Sequence, residues 1–167
     1  MSKIIIIRGN SGSGKSCVAK SIQEQIEPHP MLIQHDVFRR DILKEREGQC
    51  NLNDKLILQA VKFGLKYKKN IIIEGIMRIE LYKKLFDRII AIHPDENYFF
   101  YLDIPFKETL RRHATKKGVD FGEKEMKLWY KKDDLSGYPN ETIIHSSSSQ
   151  QSTVSKIIKQ SGLAQKT

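Results

Sequence analysis

The run Gly9-Asn10-Ser11-Gly12-Ser13-Gly14-Lys15-Ser16 matches the phosphate-binding pattern G-x-x-x-x-G-K-S/T at every fixed position. Its glycines let main-chain N–H groups close around an anion. Lys15 can reach the β- and γ-phosphates of a nucleotide, and the Ser16 hydroxyl is a hard oxygen ligand of the kind Mg²⁺ takes. The flanking sequence strengthens the match. A β-branched run at residues 4–7 precedes it, and from Lys15 a helical stripe of Val18, Ile22 and Ile26 follows. Strand, glycine loop, helix is the order that wraps backbone donors around a phosphate. A glycine- and serine-rich turn that binds nothing is the plainer alternative, and this context weighs against it.

Three further charged groups follow short apolar runs. Asp36 comes after the run at 31–34 and is followed by Arg39 and Arg40, Glu74-Gly75 closes Ile71-Ile72-Ile73, and Asp103-Ile104-Pro105 precedes Arg111 and Arg112. The end of a strand is where ligands gather in open α/β sheets. Each group also has a structural reading. Asp36 could simply cap a helix beginning at Val37. Arg39 with Arg40, or Arg111 with Arg112, Lys116 and Lys117, could be solvated helix faces. Glu74 could pair with Arg78. His35, His113 and His145 show no ligand spacing, so no metal beyond Mg²⁺ is indicated. Met126, Trp129 and Tyr130 share one side of a helical pattern, which favours core packing over base stacking.

Five apolar strands must position these groups, at residues 3–8, 31–34, 70–74, 98–102 and 142–145. Helices are predicted from Lys15 to the Pro28 and Pro30 break, over 37–46, through about Tyr67, along Leu81, Leu85, Ile89 and Ile92, over 106–115, over 123–132, and around Val154, Ile157 and Ile158. Residues 146–152 are polar and low in complexity, either a tight loop or a linker. Strands alternating with helices at this spacing argue for a parallel sheet covered on both faces.

A GTPase would need an N-K-x-D guanine reader and a D-x-x-G switch on later strands, and neither is read there. The chain is also too short for a large ring-forming ATPase. Within the small phosphotransferases it resembles the P-loop kinases of the polynucleotide kinase, chloramphenicol phosphotransferase and zeta-toxin type. The matching pieces are the phosphate loop, His35-Asp36-Val37-Phe38-Arg39, Glu74-Gly75, and Asp103-Ile104-Pro105 leading to Arg111-Arg112. The resemblance implies a three-layer α/β/α P-loop fold of nucleoside-monophosphate-kinase type. Its five-stranded parallel sheet would have the order 2-3-1-4-5, with a small helical lid at about 109–124. It further implies that Asp36 is the general base and that Arg39 holds the acceptor. Glu74 would orient a Mg²⁺-bound water or contact the acceptor, and Arg112 would meet charge on the transferred group from the lid. Backbone at 146–149 would pass beside adenine.

The implied cofactors are ATP and Mg²⁺, with residues 9–16 and Arg112 holding the nucleotide, and Ser16 and Glu74 on the metal side. The implied activity is transfer of the ATP γ-phosphate to a hydroxyl of a small-molecule or nucleoside-like acceptor. Two alternatives stay open: a polynucleotide 5′-hydroxyl kinase, and a non-catalytic ATP-binding regulator.

Composition agrees with this class. With 167 residues, 39% of them hydrophobic, the chain is long enough to bury a core and too apolar for disorder. One domain over 1–162 with a frayed tail at 163–167 is the simplest division. Cys17 and Cys50 suit neither a disulfide framework nor a zinc site and read as reduced thiols. No signal-peptide core or membrane span is evident, so a cytoplasmic location without membrane attachment is expected. The net charge of +9 fits either nucleic acid or phosphates. Residues 103–132 carry nine Lys/Arg against five Asp/Glu, which centres much of the excess on the expected lid and favours ATP over a nucleic-acid backbone.

Overall fold

The computed structural model describes residues 1–46, 52–115 and 121–164, so Cys50, Lys116 and Lys117 lie outside the described residues. Five strands, β1 (Ile4–Gly9), β2 (Met31–Gln34), β3 (Ile71–Gly75), β4 (Asn97–Asp103) and β5 (Glu141–His145), form one parallel sheet in the order β2-β3-β1-β4-β5. This is the order the resemblance implied. Among the described residues six α-helices surround it: α1 (Lys15–Gln25), α2 (Leu52–Lys66), α3 (Ile79–Ile92), α4 (Phe106–His113), α5 (Glu123–Trp129) and α6 (Gln150–Ser161). No helix among the described residues is long and apolar enough to cross a membrane.

The isoleucine run of β1 is apolar at every position because both of its faces are covered. Ile5 and Ile7 join Ile72, Phe100 and Leu102 against Val18 and Ile22 of α1 and Val154 and Ile157 of α6. Ile4 and Ile6 join Ile71, Ile73 and Phe99 against Val61 of α2 and Leu85, Phe86 and Ile89 of α3. The two-residue period of the strand thus splits one sequence run between two cores.

Strand register brings the charged groups to one sheet edge. Glu74 lies level with Ile7 and with Gln34, Gly9 with Leu102, and Asp103 with His145. Asp36, the phosphate loop and Glu74 therefore share the C-terminal ends of neighbouring strands.

Two helix expectations and one loop expectation change. The helix expected over 37–46 is a π-helical turn, Val37–Ile42, in which Leu43 N–H donates to Phe38 O at 3.0 Å. The helix expected to reach 132 ends at Trp129, because Lys131 N–H turns away to the Asn10 side chain at 2.9 Å. The polar run at 146–152 is no linker. Ser149 caps α6, its hydroxyl accepting from Ser152 N–H at 3.1 Å, and the residues after it are the first turn of that helix.

Candidate active site

The phosphate loop joins β1 to α1. Gly12 has φ +77°, and a Cβ there would meet Thr109 O at 2.6 Å, so the loop can pass under α4 only with glycine at this position. No side chain caps α1 and no acid stands in its first turn, which leaves its N-terminal donors and dipole for an anion. Lys15 Nζ donates to Asn10 O at 2.9 Å and lies 3.5 Å from Ser13 Oγ, so the ammonium is held over the loop. The Asn10 side chain is committed elsewhere. It brackets the Lys131 peptide, donating to Lys131 O at 2.8 Å and accepting from Lys131 N–H. Only its main chain is left for a phosphate.

A cavity of about 350 Å³ opens on one side of the loop. Gly12, Gly14, Arg112, His145, Ser148 and Ser149 are among its lining residues, so the turn before α6 does form a wall. Arg112 donates to Ser13 O at 3.0 Å and is steadied by Glu108 Oε1 at 2.7 Å. Arg111 also pairs with Glu108, but its side chain is 71% exposed. The geometry thus separates two arginines that are adjacent in sequence.

On the opposite side, Asp36 has no capping hydrogen bond to the turn it precedes, so the helix-cap reading is not realised. Its Oδ1 instead accepts from Arg39 at 3.2 Å and lies 3.4 Å from His35 Nδ1. Partial burial pushes the carboxyl up. The hydrogen bond and charge of His35, with the charges of Lys15 and Arg39, outweigh that and hold it well below the usual carboxylate range. Glu74 is buried at the end of β3, where Gln34 Nε2 donates to its Oε1 at 2.9 Å, while Arg78 pairs with Glu80 at 3.5 Å.

A second cavity, about 550 Å³, lies on this side. Arg39, Arg40, Glu45, Ile76, Phe121 and Trp129 are among its lining residues. Trp129 is therefore a half-buried wall residue, correcting the expectation of core packing. Met126 alone of its apolar neighbours on α5 is buried.

The oxygen-only donors here suit Mg²⁺. Ser16, an exposed residue beside Lys15, carries a hydroxyl, and Glu74 carries a carboxylate on β3 level with Ile7 of β1. No group of three or more His, Cys, Asp or Glu gathers to hold a metal among the described residues.

Sequence reading missed two features. Arg8 is fully buried under the site, pairing with Asp134 Oδ2 at 2.6 Å and Glu141 Oε1 at 3.1 Å and donating to Met77 O at 3.0 Å. Its pattern signal was a charge ending an apolar run, which reads equally well as a strand terminator. Asp134-Leu135-Ser136-Gly137 does have the D-x-x-G spacing, but Asp134 serves Arg8 and the N–H of Ile79 rather than a nucleotide. The second feature is His35, whose partner Tyr82 is supplied by α3.

Neither a protein-family model nor a curated protein sequence matches the chain. Solved structures do match in fold. The tunicamycin resistance protein of Deinococcus radiodurans superposes with TM-score 0.72 at 18% identity, covering 100% of this chain and 99% of its own. A sugar kinase from a Janibacter species gives 0.71 at 14%, covering 98% and 96%. The APS kinase of Mycobacterium tuberculosis, in complex with AMPPNP and APS, gives 0.66 at 14%, covering 95% and 96%. The chain shares with these structures its fold, a five-stranded parallel sheet of order 2-3-1-4-5 between helical layers.

Proposed function

We propose that the protein is an ATP-dependent kinase that transfers the γ-phosphate to a hydroxyl of a small-molecule or nucleoside-like acceptor. The observation that carries this reading is the pair of cavities on either side of the phosphate loop. One is bordered by Arg112 and the turn before α6, the other by Arg39, with Asp36 beside it and within the field of Lys15. A donor and an acceptor bound in these two cavities would meet at Lys15, and phosphoryl transfer depends chiefly on such positioning and on charge stabilisation.

Asp36 takes the proton of the acceptor hydroxyl as its oxygen bonds to the γ-phosphorus. The bond from the γ-phosphorus to the β–γ bridging oxygen breaks, and ADP leaves. Lys15 and Arg112 face the charge on the transferring group, and Arg39 orients Asp36 and the acceptor. Ser16 and Glu74 would hold Mg²⁺, which would supply neutralisation of phosphate charge.

The test is phosphorylation of a metabolite pool from labelled ATP by the natural chain and by Lys15→Ala. Label in an organic product, reduced on the order of 10²–10³-fold by the substitution, is expected. Full transfer by Lys15→Ala sinks the reading. A second reading, a polynucleotide 5′-hydroxyl kinase, is favoured by the arginines beside Asp36. Retention of oligonucleotides with a steep salt slope would support it, and no binding at low salt would remove it.

A further inference from the structure

Asn10 makes two sets of bonds with different ends. Its main-chain oxygen accepts from Lys15 Nζ at 2.9 Å and from Ser13 N–H at 3.2 Å, inside the phosphate loop. Its side-chain amide leaves the loop and pairs with a whole peptide, donating to Lys131 O at 2.8 Å and accepting from Lys131 N–H at 2.9 Å. The Tyr101 hydroxyl of β4 joins them, 3.4 Å from Asn10 Nδ2 and 3.4 Å from Lys131 O. Asn10 is 5% exposed, so these bonds meet little competition from water. Holding a phosphate needs only the main chain of this residue, and the side-chain bonds therefore call for a separate account.

Lys131 lies two residues past Trp129, the last residue of α5. Glu125 and Trp129 of that helix, with Phe121 just before it, line the cavity beside Asp36, and none of the three lines the cavity beside Arg112. The loop meets α5 at a second point, where a Cβ on Gly12 would stand 3.2 Å from Met126 Cε. The residue that holds the Lys15 ammonium thus also holds the end of the helix that walls the other cavity, across 121 residues of sequence. An amide engaged with both the N–H and the C=O of one residue fixes that residue in direction as well as distance, since either bond weakens steeply once misaligned. Phosphoryl transfer has a use for such a tie, because its two reactants must meet at a fixed separation.

We propose that Asn10 is a positioning residue whose side chain couples nucleotide on the phosphate loop to the placement of α5, so that filling one cavity sets the Glu125–Trp129 wall of the other. Lys15 Nζ turns from Asn10 O to the phosphates when a nucleotide binds, and the peptide it leaves belongs to the residue that grips Lys131. By linkage, a ligand against α5 biases the loop in return. This rests on the nucleotide-binding part of the kinase reading and on neither transfer nor the identity of the acceptor.

Trp129 is the chain's single tryptophan and lines the cavity that the nucleotide does not enter, so its emission reads the coupling. The natural chain is titrated with AMPPNP and Mg²⁺ while calorimetry follows occupancy, and the emission is expected to shift in proportion to the bound fraction. In Asn10→Ala, which keeps the main chain of the loop, the shift at calorimetric saturation should fall below about a third of the natural amplitude. Asn10→Asp should do the same with the side-chain shape retained, because an acceptor replaces the donor that faces Lys131 O. Lys131→Met keeps the bracketed peptide and should keep the shift. Buried Met126 and the Tyr130 hydroxyl, which donates to Ile104 O at 3.2 Å, still hold α5 in the Asn10 variants, and urea unfolding checks that both are folded. An emission unmoved at saturation in the natural chain, a shift that survives in either Asn10 variant, or one that is lost in Lys131→Met would overturn the proposal. A coupled shift in a chain that transfers no phosphate would refute the kinase reading alone. Phosphoryl transfer with an unmoved emission would refute this proposal alone, and failure to bind AMPPNP would refute both.

Discussion

His35 Nε2 lies 2.6 Å from the Tyr82 hydroxyl, a buried contact between the end of β2 and α3. The other ring nitrogen faces Asp36 Oδ1 at 3.4 Å. Tyr82 thereby sets the imidazole plane, and the imidazole sets the carboxylate that is the proposed base. Tyr82→Phe leaves His35 Nε2 without this partner and is expected to cost about 1–3 kcal/mol in urea unfolding. The acid limb of the transfer rate should move to higher pH in the same variant. An unmoved acid limb would reduce the contact to a packing role.

Asp36 itself is held below the ordinary carboxylate range. The unfolded chain therefore binds its proton more readily. The stability it contributes is complete above the unfolded value, roughly 3.9, and is lost as pH falls through the folded one. The side chain is half exposed, so solvent keeps that contribution small. Transfer activity should be insensitive to Asp36 between pH 8 and 5, because the base stays ionised. Asp36→Asn should retain ATP binding, measured by calorimetry, and lose transfer by on the order of 10²–10⁴-fold.

Arg111 and Arg112 provide an internal control. Arg112 touches the phosphate loop through Ser13, whereas Arg111, from an exposed position, reaches only Glu108 among the described residues. Arg112→Ala is expected to lower kcat on the order of 10²-fold and Arg111→Ala by less than about threefold in steady-state assays. Equal losses would move the role from one side chain to the general charge of α4.

Arg8 is a fully buried cation whose charge is met by Asp134 and Glu141. Asp134→Ala removes its shortest ion pair and also the carboxylate that receives Ile79 N–H at the start of α3. A loss of about 3–5 kcal/mol in chemical denaturation is expected, since the remaining charge is buried and underpaired. A loss below about 1 kcal/mol would mean that water or Glu141 compensates.

Gly75 ties fold to site. A Cβ at this position would stand 2.6 Å from the Cβ of His35, both of them on stiff backbone. Gly75→Ala should therefore destabilise by about 1–3 kcal/mol and also disturb Asp36, lowering kcat without weakening ATP binding. A variant with natural stability and activity would show that the two strand ends yield easily.

The phosphate loop, the alternation of strands with helices and the two-faced burial of β1 were legible in the residues. Each is written in local spacing: glycines at fixed offsets, a helical stripe after Lys15, and an isoleucine run too apolar for a half-exposed strand. The exact extent of the segment after Asp36 was not, because a π-helical turn and a short α-helix have the same side-chain chemistry. Nor was the end of α5, which depends on Asn10, 121 residues away from Lys131 in sequence. Trp129 shared a helical stripe with Met126, and only the position of residues 39–46 against α5 turned its ring from a core candidate into a cavity wall.

The sequence by itself determined that this chain folds around a phosphate loop on a buried strand, since those constraints act between neighbours in the chain. Tertiary structure decided which charges serve chemistry and which serve the fold. Arg112 meets the loop while Arg111 does not, Asp36 turns to His35 and Arg39 instead of capping, and Arg8 is sealed beneath the site. Arg112 meets Ser13 across 99 residues, Arg8 meets Asp134 across 126, and the His35 that faces Asp36 is itself held by Tyr82, 47 residues away. Only the packed sheet brings those partners within hydrogen-bonding reach.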